Sequence, residues 1–236
     1  MRDIWTYLSA NPLLHLVLTL AAFQVGTLTF RLGRSNPLLN PVLVAVTLVV
    51  GVLLATGTSY ETYFNGAQFV HFLLGPATVA LAIPLYRQWD KVRRAAPTIL
   101  ASVLAGSMTA VACALTVGWL LGASRDTLVS LAPKSVTAPV AMAITEQLGG
   151  LPSLTAVLVI LTGIFGAMTG PLVLDFLQIE DEAARGLALG TASHGIGTAR
   201  ALQMHETAGA FAGLAMALNA LATAVLLPLV WHWVVG

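Results

Sequence analysis

The chain has 236 residues, 57% of them hydrophobic and 9% charged, with a formal net charge of +1 and a mean hydropathy of +0.86. A soluble domain carries about 25% charged residues, and 11 basic plus 10 acidic side chains cannot cover the surface of a domain this long. These figures exclude a soluble enzyme, a nucleic-acid binder and a disordered segment, and they point to an integral membrane protein.

The chain opens MRDIWTYLSANP, where Arg2 is cancelled by Asp3 and the hydrophobic run behind continues far beyond that of a secretory signal. Direct insertion into a bacterial inner membrane is the expectation. A bilayer-spanning helix needs about 20 mostly apolar residues, and runs at 13–30, 37–56, 67–86, 97–122, 152–177 and 208–234 qualify. Two stretches, 128–149 and 187–204, are too polar and interrupted for ordinary spans yet too apolar for loops. Irregular backbone inside a bilayer is tolerated only where it is buried in protein or lines a cavity. Both stretches are therefore expected as discontinuous or re-entrant helices. The fold class is an all-α polytopic bundle with about eight membrane segments.

The connecting segments set orientation through their Lys/Arg bias. Arg31 and Arg34 in the 31–36 turn, and Arg87, Lys91, Arg93 and Arg94 in segment 87–94, mark cytoplasmic loops. Glu61 in 57–66, and Glu180, Asp181 and Glu182 in 178–186, mark external ones, with both termini outside. Cys113, the sole cysteine, excludes a disulfide within the chain and reads as a small buried hydrophobe. Gly166/Gly170 and Gly209/Gly213 signal close helix packing. Asp175 and the Trp-His-Trp tail at 231–233 read as interface residues, and Asn219 as an interhelical hydrogen-bond partner.

An internal repeat is expected as well. Leu38-Leu39-Asn40-Pro41-Val42 resembles Val136-Thr137-Ala138-Pro139-Val140, Gly75-Pro76 matches Gly170-Pro171, and Asp90/Arg94 matches Asp181/Arg185, in order and at similar offset. The halves run roughly 31–122 and 128–206. Because the loop bearing Asp90 is basic and its counterpart acidic, the repeat reads as inverted, an architecture of many secondary transporters.

Two constellations could carry chemistry. In the first, Pro139 removes a backbone donor and frees the carbonyl four residues earlier. The half-helix beginning there would offer unpaired N–H groups and a positive dipole end, with Lys134, Ser135 and Thr137 beside it, suited to a small carboxylate. Glu146 ends the same segment and could pair with a cation or carry a coupled proton. The second is 190–200, where glycines including Gly197 permit close approach. Ser193 and Thr198 can donate to a bound oxygen, Arg200 can grip a carboxylate, and His194 can bind solute or relay a proton. The alternatives are a snorkelling Lys134, a merely kinking Pro139, a solvated Glu146, a satisfied buried His194 and an interface Arg200. Other motifs fail. The GxG lacks a strand before it, Ser193 and His194 are adjacent rather than arranged as a triad, and His205-Glu206 has no second histidine for a metal. No enzyme activity, cofactor or metal is expected.

The strings PKSVTAPVAMAITEQLGG, ARGLALGTASHGIGTARAL and GAFAGLAMALNALATA resemble the LrgB/CidB family over essentially the whole chain, most strongly at 131–228. The resemblance implies a single membrane domain over 1–236 and two functional descriptions. Plant relatives are plastid translocators of glycolate and glycerate. Bacterial relatives are antiholin-like or holin-like proteins affecting murein hydrolase activity, beside a small LrgA/CidA-type membrane partner. The breaks and their cationic residues favour a secondary transporter of a small organic anion, proton-coupled in one version, with antiholin-like regulation as the alternative. The bilayer, the small membrane partner and a homo-oligomer are the expected associations.

Overall fold

The computed structural model describes residues 11–33, 36, 39–80 and 82–234, and among them the regular structure is entirely helical. Arg2, Asp3, Arg34 and Leu38 lie outside the described residues. The chain divides into two compact units, residues 1–80 and 81–236. Large apolar side chains such as Leu54 (79% exposed), Leu121 (82%) and Phe176 (85%) face outward. Apolar patches on that scale are stable against lipid rather than water. Among the described residues five helical runs, Pro12–Leu32, Tyr60–Arg87, Trp89–Leu120, Pro152–Phe176 and Glu206–Trp231, are long and apolar enough to cross a bilayer. This is a multi-pass membrane protein.

The first unit contains α1 (Pro12–Leu32), α2 (Pro41–Thr56), α3 (Tyr60–Phe72) and α4 (Leu74–Ala80). Asn11 and Asn40 cap α1 and α2: Asn11 Oδ1 accepts from the Leu13 N–H and Asn40 Oδ1 from those of Val42 and Leu43, each just beyond a proline that has no N–H to satisfy. α1 packs on α2 and α3, and the Thr19 and Tyr63 hydroxyls meet at 2.9 Å. The expected span 67–86 falls within the run Tyr60–Arg87, which carries a turn at Leu73. α3 ends at Phe72, four residues before Pro76, whose ring excludes the carbonyl at that position.

The second unit contains α5 (Ala82–Arg87), α6 (Trp89–Leu120), α7 (Arg125–Leu131), α8 (Ala138–Gln147), α9 (Pro152–Phe176), α10 (Glu182–Met204) and α11 (Glu206–Val234). Its contacts reveal two hairpins. Within α10, Gly186 and Gly190 lie against Ala208 and Ala212, so its first half runs parallel to α11. Beyond the break, Thr198 meets Met216 and Leu202 meets Gly209, so the second half runs antiparallel. The chain reverses at Ser193 and His194, whose backbones are non-helical. At about 1.5 Å per residue the halves are roughly 15 Å long, half of a 30 Å hydrocarbon core. α10 is re-entrant.

α7 and α8 form the opposing hairpin. Ser130 near the end of α7 and Thr145 near the end of α8 converge on Thr155 at the start of α9: the Thr155 hydroxyl is 3.0 Å from the Ser130 carbonyl and 2.8 Å from the Thr145 hydroxyl. Val129 and Ile144 pack with Leu227 and Trp231 at the far end of α11. The α10 hairpin instead has its base beside Ala208, at the near end of α11. The two hairpins therefore enter from opposite ends, and the turn at 132–137 faces the turn at 193–194.

This topology corrects the orientation. Arg87 bridges Glu206 at 2.9 Å, and Val92 shares a cluster with Ala183 and Phe211. The basic segment 87–94 and the acidic segment 178–186 thus sit at the same end of the unit. Segment 128–149 turns back instead of crossing, so two full crossings, α6 and α9, separate them rather than three. The opposite charge of these loops is no sign of opposite sides. Most of both segments is helical, since helices continue through the headgroup layer beyond the core. Asp175 closes the α9–α10 turn through Arg185 at 2.8 Å. Trp231 is buried, and Cys113 is exposed rather than buried, on an α6 face suited to lipid.

Close approach of α10 to α11 depends on Gly186 and Gly190, where a Cβ would overlap the carbonyl oxygens of Ala208 and Ala212. Gly190→Ala is expected to cost about 1–3 kcal/mol. Thermal unfolding of the detergent-solubilised protein would measure it, with Gly51→Ala, where a Cβ meets nothing within 4 Å, as the neutral control.

Candidate functional site

At the first tip, Thr137 caps α8 through its backbone alone, its side chain making no cap bond, and Pro139 occupies the first turn. Ser135 lies two residues before that cap, so its carbonyl is outside the α8 ladder, which begins with the Thr137 carbonyl accepting from the Ala141 N–H at 2.9 Å. The Ser135 carbonyl accepts from Asn219 Nδ2 at 3.2 Å. Lys134 reaches the Ser135 hydroxyl at 3.4 Å. A lysine at mid-bilayer costs roughly 2.5–3.5 kcal/mol on insertion scales and marks a functional position by default.

At the second tip, His194 has φ +42 and ψ −134, in the region that favours glycine, and Ser193 has φ −133 and ψ 17. Such a backbone costs on the order of 1–3 kcal/mol and persists only where its surroundings enforce it. The surroundings are specific. His194 Nε2 lies 2.9 Å from the Val159 carbonyl, which makes Nε2 the protonated nitrogen, a tautomer assigned by its partner. The Thr198 hydroxyl donates to the His194 carbonyl at 2.8 Å. Room for the turn comes from α9: a Cβ on Gly163 would stand 2.6 Å from His194 Cε1, and one on Gly166 would overlap the Ser193 hydroxyl. Gly197 sits against the Leu189 carbonyl across the reversal, where a Cβ would lie 2.5 Å away.

The tips meet at Asn219, 1% exposed and near the midpoint of α11. Besides Ser135, its Nδ2 donates to the Thr191 carbonyl at 3.0 Å. Two carbonyl partners fix the amide orientation and turn Oδ1 away, and Oδ1 has no hydrogen-bond partner among the described residues. A buried acceptor left so costs about 1–3 kcal/mol. Lys134 and His194, one from each tip, lie within electrostatic range of each other. α8 and the second half of α10 start at the tips while α7 and the first half of α10 end there, so dipole ends of both signs converge together with one ammonium. A crevice of about 340 Å³ between α6 and the first half of α10, lined by Ser102, Gly106, Ala184, Ala188, Thr191 and Ala192, leads toward the second tip.

Of the residues singled out from sequence, Ser135, Ser193, His194, Gly197 and Thr198 are buried at the tips, and Lys134 and Thr137 are half-buried beside them. Pro139 is exposed. Arg200 is half-buried and lies roughly 9 Å along the second half of α10 from His194, at about 1.5 Å per residue. Glu146 is exposed in the last turn of α8, away from the tip. No group of three or more His, Cys, Asp or Glu able to hold a metal occurs among the described residues. The sequence reading gave Asn219 an interhelical role but not this one, and it missed Gly163 and Val159. A signal existed: Asn219 is the sole side-chain amide in the apolar stretch between 206 and 234.

The family model described as the LrgB-like family matches residues 19–233. The chain is 39% identical to the uncharacterized protein YxaC of Bacillus subtilis over 215 residues, 91% of this chain and 93% of that one. It is 36% identical to the holin-like protein CidB of Staphylococcus epidermidis over 222 residues, 94% and 96% of the two chains. With the holin-like protein CidB of Staphylococcus aureus the identity is 38% over 193 residues, 82% and 84%. No solved structure matches the chain.

The second tip yields an ordering of variants. His194→Ala and His194→Gly both lose the bond to Val159, but only glycine adopts the tip backbone without penalty. The glycine variant is expected to be more stable by roughly 1 kcal/mol. Comparing the two unfolding midpoints tests this, and the reverse order would mean that the tip does not hold a positive φ.

Proposed function

Because the chain belongs to the LrgB-like family, we propose that it acts as the holin-like relatives are named, as a regulator of lysis in the bacterial plasma membrane. In this reading it is not an enzyme. It controls murein hydrolase activity from within the bilayer, together with a small LrgA/CidA-type membrane protein. The observation that carries the reading is the match over residues 19–233, with relatives named holin-like at 36–38% identity across most of the chain. Deleting the gene is expected to change the rate of autolysis, and re-expression of the wild-type chain to restore it. An unchanged lysis curve in the deletion strain would remove the reading.

A second reading, passage of a small organic anion, is favoured by one observation: the pair of opposed hairpin tips. Discontinuous helices meeting near the bilayer midplane, with half-helix N-termini facing a shared site, suit an anionic solute. Lys134 would supply charge, and Ser135, Thr137, Ser193, His194 and Thr198 hydrogen bonds, with His194 as a candidate proton relay. Arg200 and Glu146 stand off the tips. The inverted relation of the hairpins supports an inverted repeat, now drawn from topology rather than loop charge. Proteoliposomes should take up labelled glycolate, glycerate, lactate or pyruvate, and Lys134→Gln should slow uptake at least tenfold. Absence of uptake under both proton and sodium gradients would dismiss carriage. Restoration of normal autolysis by an uptake-dead Lys134→Gln chain would separate the two roles and strengthen the first.

A further inference from the structure

We propose that Asn219 is a positioning residue that couples the two hairpins, so that displacement of one tip is transmitted to the other through a single side-chain amide. Each tip presents a carbonyl to the other hairpin's side of the unit. Ser135 precedes the cap of α8 and lies outside its ladder, and Thr191 stands just before the non-helical Ser193 and His194. One amide serves both carbonyls, at 3.2 and 3.0 Å.

The chemistry of the pair selects the residue. Serving two acceptors from one atom takes two N–H donors, which an Asn amide has, whereas a hydroxyl has one and a carboxylate none. Leucine would fill similar space and serve neither. The unpartnered Oδ1 supports the same conclusion, since packing alone would not retain a polar group whose other end is unmet. Asn219 also stands on α11, which runs the length of both hairpins and packs against each, through Trp231 at one base and Ala208 at the other. The tips are thus referred to one common strut at its midpoint.

The proposal deepens the anion-passage reading, but its test needs no solute. Backbone hydrogen exchange is followed by mass spectrometry on the purified full chain in detergent, for wild type, Asn219→Leu and Asn219→Asp. Exchange in peptides covering 132–140 and 189–198 is expected to rise at least tenfold in both variants, while peptides within 160–172 of α9 stay within twofold. Coupling is read with Thr198→Val, which removes the bond to the His194 carbonyl at the second tip alone. In the wild-type background it should raise exchange at 132–140. With Asn219→Leu already present, it should raise it no further. A rise at only one tip, an equal rise in all helices, or a Thr198→Val effect on 132–140 that survives loss of the amide would overturn the proposal. If one Asn219 variant fails to purify, the other decides the outcome. A chain that carries no anion yet shows the expected exchange pattern would fail the passage reading alone.

Discussion

A chain that turns back inside a bilayer must find partners there for the peptide groups its turn releases, because no water is available to serve them. That constraint governs the second unit. The first reversal falls in the turn at 132–137 and the second at the Ser193–His194 pair, and a carbonyl from each tip converges on Asn219. The glycines of α9 and α10 follow from the same requirement. Gly163 and Gly166 make space for the second turn, and Gly186 and Gly190 let its supporting half-helix approach α11. At the first hairpin the Ser130 carbonyl and the hydroxyls of Thr145 and Thr155 close the base, so the turn is held at both ends by polar groups rather than by apolar contact alone.

The electrostatics of the tips are a by-product of that architecture. Helices that start and end at mid-depth bring dipole ends of both signs there, and Lys134 adds a full positive charge among them. A protein that needed only to occupy the membrane would avoid such a cluster. Regulation of lysis and passage of an anion both require a membrane protein that can change state. The tips are a place where two arrangements of the same chain could differ by little energy.

How much of this was legible in the sequence varies with the physics involved. The two interrupted segments are visible because polar and glycine-rich residues in an otherwise apolar chain are rare, and both breaks fall inside the expected stretches. Whether such a segment crosses or returns depends on its neighbours. Leu202 against Gly209, and Ser130 beside Thr155, are contacts between residues whose pairing no local pattern encodes. The sidedness error followed from that, since counting one crossing too many moves an acidic loop to the wrong face. Cys113 misled for another reason: in a bilayer an apolar position is as compatible with lipid as with a core. Asn219 was recognised as a bonding residue, but its importance depends on two carbonyls 84 and 28 residues away.

The depth of the tips has an electrical consequence. Moving one elementary charge across a membrane held at 100 mV involves about 2.3 kcal/mol. A hairpin that reaches halfway delivers Lys134 to about the middle of that voltage drop, so roughly half of the energy acts on its ammonium group. The resting potential of the cell is then a force on this tip, present whether or not anything is bound. Collapse of that potential would remove this force from the turn.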